Sequence, residues 1–171
     1  LNFRTRAYWG GNTPCIHVDT GSADYLILDG GSGLRALAKE IMAKKVSGAT
    51  FHIFLSHFHY DHIQGIPFFA PAYAPSNRIV FHGGHEGIEK FLRAQMREPF
   101  FPISFDTLGA EISFEEHKPG DVIEVCDSRV TLFQQNHPGL SYGYRIENQE
   151  KAMVYSTDCE HTNEAHSKNY P

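Results

Sequence analysis

The sequence predicts an α/β fold built from two sheets and flanking helices. Between residues 15 and 98, short apolar segments of strand character alternate with amphipathic helical segments, which is the order of α/β layering. Beyond residue 110 the helical segments stop and strand-like segments follow in close order, which favours antiparallel or mixed pairing. The 171-residue chain is 41% hydrophobic, enough for a core between such layers. We therefore expect one domain spanning residues 1–171.

The first part of the chain contains four predicted strands and two predicted helices. Leu34, Ala38 and Ile41 recur at helical spacing after the strand-breaking GGSG. FHIFL is almost wholly apolar, as is typical of a strand covered on both faces. The predicted strands span 15–18, 25–29, 51–55 and 78–82, and the predicted helices span 34–46 and 86–98. In the second part, strands are predicted at 110–115, 121–125, 129–135, 141–147 and 151–157.

The charge and cysteine content narrow the classes of partner and compartment. Fifteen basic and twenty acidic residues give a net charge of -5, without the basic stripe typical of proteins that bind a phosphate backbone. A small-molecule substrate is therefore favoured over a nucleic acid. No apolar run is long enough to span a membrane, and the N-terminal segment lacks the apolar centre of a signal peptide. Three widely spaced cysteines suit a reducing compartment, so we expect a cytoplasmic protein.

Four potential metal ligands crowd into HFHYDH, directly after the apolar segment 51–55. His57 and His59 lie two apart, so an extended backbone places both side chains on one face. Asp61 and His62 follow, where we expect a short helix. Imidazole and carboxylate groups bind zinc, iron and manganese, and open α/β sheets place ligand sites at the carboxyl ends of their strands. The pattern predicts a metal site rather than a polar loop without a ligand.

Aromatic residues lie within and just after this cluster. Phe58 and Tyr60, interleaved with the histidines, are expected to point the other way and anchor the loop in the core. The irregular segment 65–77 adds Phe68, Phe69 and Tyr73. These three side chains either pack onto the core, contact a second copy in a homodimer, or form a wall of a substrate pocket. The first two alternatives are favoured.

HFHYDH resembles the His-x-His-x-Asp-His signature of the metallo-β-lactamase-fold hydrolases. ILDGGSG is similar to the early Asp-x-Gly turn of that family, which implies a supporting role for Asp29 behind the metal ligands. NHPG and STDCEH, each after a predicted strand, resemble the next two ligand motifs and nominate His137 and Asp158. The motifs run from about Gly10 to His161. The resemblance implies an αββα sandwich of two mixed sheets flanked by helices.

The resemblance also implies a site for two divalent metal ions, with zinc favoured and manganese or iron as alternatives. A hydroxide between the metals would be the nucleophile, because metal binding lowers the pKa of water from 15.7 to about 7. Asp61 would help to orient this hydroxide. The implied ligands are His57, His59 and His137 for the first metal, Asp61 and His62 for the second, and Asp158 as the bridge between them.

The end of the chain departs from the family pattern. The second metal in the family takes a further histidine well downstream of the bridging aspartate, whereas this chain ends thirteen residues after Asp158. We therefore expect the chain to be truncated before the last ligand. A histidine would protonate the leaving group, and His161 is the candidate, with His85 and the downstream histidine as alternatives.

Within the family, GGNTPC and HIQGIPFFAPAY look most like the phosphodiesterase-like branch, which includes tRNA 3′-end endonucleases and cyclic phosphate diesterases. The implied reaction is hydrolysis of a small phosphodiester or cyclic phosphate. Thioester, glyoxalase-like or lactam hydrolysis on the same ligands is the alternative. Iron oxygen-reducing relatives carry glutamate where this chain has His59, which argues against them. A non-catalytic binding scaffold is less favoured, because the six ligand positions are intact.

Overall fold

Residues 10–160, the part of the chain that this computed structural model describes, form two sheets and three α-helices, joined by short 3₁₀ segments. The first sheet contains β1 (Ile16–Val18), β2 (Tyr25–Leu28), β3 (Thr50–Leu55), β4 (Arg78–Gly83) and β5 (Glu111–Glu116). The second sheet contains β6 (Val122–Val125), β7 (Ser128–Gln135), β8 (Ser141–Asn148) and β9 (Lys151–Tyr155). The helices are α1 (Gly33–Ala43), α2 (Tyr60–Ile63) and α3 (Ile88–Gln95).

The strands of each sheet lie in chain order. In the first sheet, β1 and β2 form an antiparallel hairpin, and β2 to β5 are parallel. Each parallel pair needs a crossover connection, and α1, α2 and α3 lie in the three crossovers. In the second sheet all pairs are antiparallel, so β7 and β9 run in the same direction on either side of β8. The ends of β7 and β9 therefore lie at one edge, as do the ends of β2 and β3.

Two cores result from the alternation of side chains along the strands. On one face of the first sheet, Phe51 and Ile53 of β3 pack with Leu34 of α1 and Leu92 of α3. On the other face, Phe54 packs against the second sheet, whose apolar side chains include Leu132 and Tyr144. β3 thus lies between the helices and the second sheet, which explains its almost continuous apolar sequence.

The fold class predicted from the sequence is confirmed, with two refinements. The predicted strands and helices occur, shifted at their ends by up to three residues. The second sheet is antiparallel rather than mixed, and within residues 10–160 the helices pack on the outer face of the first sheet alone. The outer helix layer implied for the second sheet therefore does not occur among the described residues.

The aromatic side chains near the histidine cluster divide between core and surface. Phe69 is buried, and Phe58 and Tyr73 pack against the helix-side core. The expectation that Tyr60 anchors the loop was wrong, because Tyr60 lies in the first turn of α2 and is 67% exposed. Phe68 is also exposed. A homodimer contact through this region remains a prediction.

No helix within residues 10–160 is both long and apolar enough to cross a membrane. Among the described residues, Cys15 and Cys126 carry free thiols. The cytoplasmic location stays a prediction.

Candidate metal centre

The predicted metal ligands lie at strand ends and on one short helix. His57 follows β3, His137 follows β7, and Asp158 follows β9. Asp61 and His62 lie on α2, which begins five residues after β3 ends. Because β3, β7 and β9 end at the same side of the two packed sheets, all these side chains meet there.

The first cluster contains three imidazole rings. His57 Nε2 lies 2.9 Å from His59 Nδ1, which in turn lies 3.3 Å from His137 Nε2. Nitrogen ligands at tetrahedral angles around a zinc ion, with Zn–N distances of about 2.0–2.1 Å, lie about 3.3 Å apart. The three nitrogens therefore have a spacing close to that of one metal coordination shell, and their role as ligands stays a prediction.

The second cluster joins His62 and Asp158, with His57 also within reach. His62 Nε2 lies 2.6 Å from Asp158 Oδ2 and 3.5 Å from Asp61 Oδ2. This nitrogen is buried and makes no hydrogen bond. When His62 is neutral and its Nδ1 proton is engaged with the carboxylate on the other side of the ring, Nε2 presents a lone pair to the lone pairs of Asp158. Two such acceptors at this distance repel unless a cation or a proton lies between them.

Asp29 and Ser56 set the orientation of the two buried histidines. His62 Nδ1 lies 2.8 Å from Asp29 Oδ2, and His57 Nδ1 lies 3.0 Å from Ser56 Oγ. The Ser56 hydroxyl donates to Asp29 Oδ2, so it accepts the proton of His57 Nδ1. In their neutral forms both rings then turn an unprotonated Nε2 towards the centre, the arrangement that partners behind metal ligands usually impose.

The carboxylate of Asp29 is fully buried and accepts hydrogen bonds from both sheets. The Ser56 amide donates to Oδ1 at 2.7 Å. Tyr155 OH, at the end of β9, donates to Oδ2 at 2.7 Å. Asp29 has a φ of 59°, a left-handed conformation that aspartate tolerates better than most residues. The supporting role inferred from ILDGGSG is consistent with these contacts.

The electrostatics of the two buried histidines differ. Burial, and then the neighbouring His62 and His59, lower the pKa of His57 to about 4. It is therefore neutral at pH 7, as a metal ligand must be. Burial alone would also lower the pKa of His62, but its hydrogen bond to Asp29 and the nearby carboxylates raise it above its ordinary value. Without a metal ion, the protonated form of the His62 ring is thus favoured.

Backbone contacts hold the ligand-bearing loops in place. The loops after β7 and β9 are joined by two hydrogen bonds between Asn136 and Glu160. The GGSG turn holds α2, since the Gly30 amide donates to the His62 carbonyl at 2.7 Å and the Gly65 amide donates to the Gly30 carbonyl at 2.8 Å. A Cβ atom at Gly65 would lie 2.0 Å from the Gly31 carbonyl oxygen, so this approach requires glycine.

Neither of the histidines proposed as general acid, His161 or His85, is seen among the ligand clusters in the described part of the chain. His161 lies outside the described residues. Ring nitrogen Nε2 of His85 lies 2.8 Å from the Leu140 carbonyl, to which it donates, and its ring packs between Phe58 and Tyr142. Ser56 and Tyr155 were not identified from the sequence, because single hydroxyl residues near strand ends carry no spacing signal.

A model of the Beta-lactamase superfamily domain matches residues 16–170 of the chain. The chain belongs to the beta-lactamase superfamily. This chain is 28% identical over 156 residues to Ribonuclease Z of Exiguobacterium sp. (strain ATCC BAA-1283 / AT1b). The match covers 86% of this chain and 47% of that protein. It therefore spans about half the length of this relative.

Solved structures confirm the superfamily fold. The metallo-beta-lactamase fold protein YhfI from Bacillus subtilis matches 91% of this chain and 58% of its own, with a TM-score of 0.66 and 20% identity. The short form of human tRNase Z matches 83% of this chain and 61% of its own, with a TM-score of 0.56 and 15% identity. At these identities the similarity supports the fold alone.

Proposed function

We propose that this superfamily chain is a metal-dependent hydrolase that cleaves phosphodiester bonds with two divalent cations bound at the candidate metal centre. His57, His59 and His137 would hold one cation. Asp61 and His62 would hold the other, with Asp158 between the two. The observation that carries the proposal is the buried His62 Nε2 facing Asp158 Oδ2 at 2.6 Å, an arrangement that a cation, or a proton, between the two atoms stabilises.

The donor set fits zinc best among the divalent metals. Imidazole nitrogens and carboxylate oxygens are its usual ligands besides thiolate, and the three cysteines do not occur in either ligand cluster. Manganese and iron accept similar ligands and are the alternatives. When bound, two such cations lower the pKa of a water to about 7 and neutralise charge on a phosphodiester.

The protein's own groups would position the reaction. Asp29 and Ser56 hold the imidazoles of His57 and His62 so that they do not turn during turnover. The side chain of Asp61 is 54% exposed and its carboxylate lies 3.5 Å from His62 Nε2, so it would orient an attacking water. His161 stays the proposed general acid.

The substrate class rests on the relatives and on charge. One relative is named a ribonuclease, so the sequence-based expectation against nucleic acid loses support. The bond cleaved by such an enzyme and by a cyclic phosphate diesterase is the same, and we propose that bond as the substrate. The net charge of -5 still favours a small phosphodiester over a long RNA.

The experiment compares substrates on the full-length protein after zinc loading. Turnover of a bis-aryl phosphodiester, a cyclic nucleotide and a short RNA would be measured beside a thioester and a β-lactam. We expect turnover of at least one phosphodiester and a loss of that turnover on chelation. Turnover of the thioester or the lactam alone would contradict the proposed substrate class. Absence of bound metal would contradict the site itself.

A further inference from the structure

The first sheet carries a second convergence of metal-ligand atoms, separate from the candidate metal centre. It consists of His82 on β4, Glu115 on β5 and His117 just after β5. The strand register pairs His82 with Glu115, so both side chains lie on the same face of the sheet. His117 lies two residues further and returns to that face, and its amide continues the ladder by donating to the Gly83 carbonyl at 2.8 Å.

The three ligand atoms have the spacing of a coordination shell. His82 Nδ1 lies 3.1 Å from His117 Nε2 and 3.4 Å from Glu115 Oε2, and the last two atoms lie 3.9 Å apart. A circle through three points with these separations has a radius of about 2.0 Å, which matches Zn–N and Zn–O distances. One ion near its centre can therefore contact all three atoms without any movement of the backbone.

His52 orients His82, the buried member of the group. His82 is fully buried and its ring stacks on Phe54 at 4.2 Å between ring centres. Its second ring nitrogen, Nε2, lies 2.9 Å from His52 Nδ1 on the neighbouring strand. When His82 Nε2–H donates to His52, the lone pair of His82 Nδ1 points at Glu115 and His117. Metal-binding histidines generally have such a partner on the nitrogen that does not bind the metal.

The group is open to water on one side. The side chain of Glu115 is 48% exposed and that of His117 is 14% exposed, whereas His82 closes the inner side. An ion can thus enter from solvent, and a water can complete the coordination. Two imidazoles and one carboxylate with an open position form a known zinc ligand set.

We propose that His82, Glu115 and His117 bind one zinc ion, in addition to any metal at the candidate metal centre. The ion ties β5, which lies at one edge of the first sheet, to β4 through side chains. The competing explanation is a chain of hydrogen bonds through His52, His82 and His117, in which protons occupy the positions between the rings. That arrangement needs no ion and predicts no change in bound metal when one member is replaced.

The test counts bound zinc in the full-length protein. Bound metal is removed with a chelator, and the protein is dialysed against micromolar zinc. The zinc content per chain is then measured by elemental mass spectrometry. Glu115→Gln keeps the size of a partly exposed side chain, and His117→Ala removes a second ligand. His17→Ala, a change of an exposed histidine on β1 of the same sheet, is the matched control. We expect both ligand variants to bind one zinc fewer than the native chain, and the control to bind the native number.

Cobalt provides an independent readout that does not depend on catalysis. The visible absorption of the cobalt-loaded native protein, minus that of His117→Ala, should contain the band of a four- or five-coordinate site. His59→Ala, which disables the candidate metal centre, should leave that difference band in place, so the two metal hypotheses fail independently. Equal zinc content in the native chain and both ligand variants would overturn the proposal. A difference band that is absent at micromolar cobalt would overturn it as well.

Discussion

Asp29→Asn isolates the charge that orients His62. Asparagine has nearly the same shape as aspartate and also tolerates the left-handed backbone found at residue 29, so the turn itself should persist. The new amide can still accept the Ser56 N–H through Oδ1. In place of Oδ2, which accepts hydrogen bonds from Ser56 Oγ, His62 Nδ1 and Tyr155 OH, asparagine has an NH₂ group. The hydroxyls can rotate to accept, but His62 Nδ1–H meets another donor.

The expected magnitudes follow from these contacts. Hydrogen bonds to a charged group contribute about 1.5–3 kcal/mol each, and two of the three at Oδ2 can be partly replaced. We therefore expect the free energy of unfolding of the metal-free protein to fall by about 2–4 kcal/mol. His62 should shift its proton to Nε2, the atom that faces Asp158. Metal affinity at that position should fall about 10–100-fold, although no ligand has been removed.

Three measurements check this chain of effects. Urea unfolding in chelator gives the stability, zinc titration gives the affinity, and ¹⁵N chemical shifts of the histidine rings give the tautomer of His62. Tyr155→Phe is the control, because it removes one donor to Asp29 but keeps the charge. It should cost about 1.5–3 kcal/mol, the contribution of one hydrogen bond to a charged group, and leave the metal affinity nearly unchanged. If Asp29→Asn binds zinc as tightly as the native chain, the orienting role of Asp29 is wrong.

Three further predictions concern catalysis, pH and packing. Asp61→Ala should reduce phosphodiester turnover by at least about 100-fold with the circular dichroism spectrum unchanged, since Asp61 is exposed and its carboxylate faces the centre; native turnover would refute its role. Burial, with the neighbouring histidines, lowers the pKa of His82 to about 2, so the unfolded chain binds a proton there below about pH 6.5 while the folded chain does not. The contribution of His82 to the free energy of unfolding is therefore complete above about pH 6.5 and declines as the pH falls. Between about pH 7.5 and about pH 5, urea unfolding in chelator should show that the free energy of unfolding falls by about 2 kcal/mol less in His82→Phe than in the native chain. Gly65→Ala should destabilise the protein by about 1–3 kcal/mol in thermal unfolding because its methyl group meets the Gly31 carbonyl, whereas Gly11→Ala, with no atom within 4 Å, should change stability by less than about 0.5 kcal/mol.

Local patterns predicted most of the fold and nominated part of the candidate metal centre. FHIFL could be recognised as a doubly covered strand because both of its faces are apolar, and HFHYDH stood out because its ligands are neighbours in the chain. His137 and Asp158 were nominated by the resemblance of NHPG and STDCEH, each after a predicted strand, to the ligand motifs of the family. FHIFL and HFHYDH, in contrast, needed only residues close in sequence and the rule that ligands lie at strand ends.

Contacts between distant residues could not be predicted in the same way. The pairing of His82 with Glu115 depends on the register of β4 and β5, which neither strand encodes alone. No local pattern in the sequence therefore joins these two residues with His117. Tyr155 reaches Asp29 across 126 positions of the chain, and only the packing of the two sheets brings them together.

The arrangement around Asp29 implies that the packing of the two sheets and the orientation of the metal ligands depend on each other. His57 and His62 come from the first sheet and its crossover, whereas Asp158 comes from the end of β9 in the second sheet. The Tyr155–Asp29 hydrogen bond already joins the sheets without any ion. A cation held between His62 and Asp158 would add a second link at the same edge, so it would bind the packed sheets and not the separated ones. By linkage, its binding free energy then adds to the stability of the packed state, by about 2.7 kcal/mol at a concentration 100-fold above the dissociation constant. A change that loosens the sheets far from the ligands should therefore weaken metal binding, even where every ligand is intact.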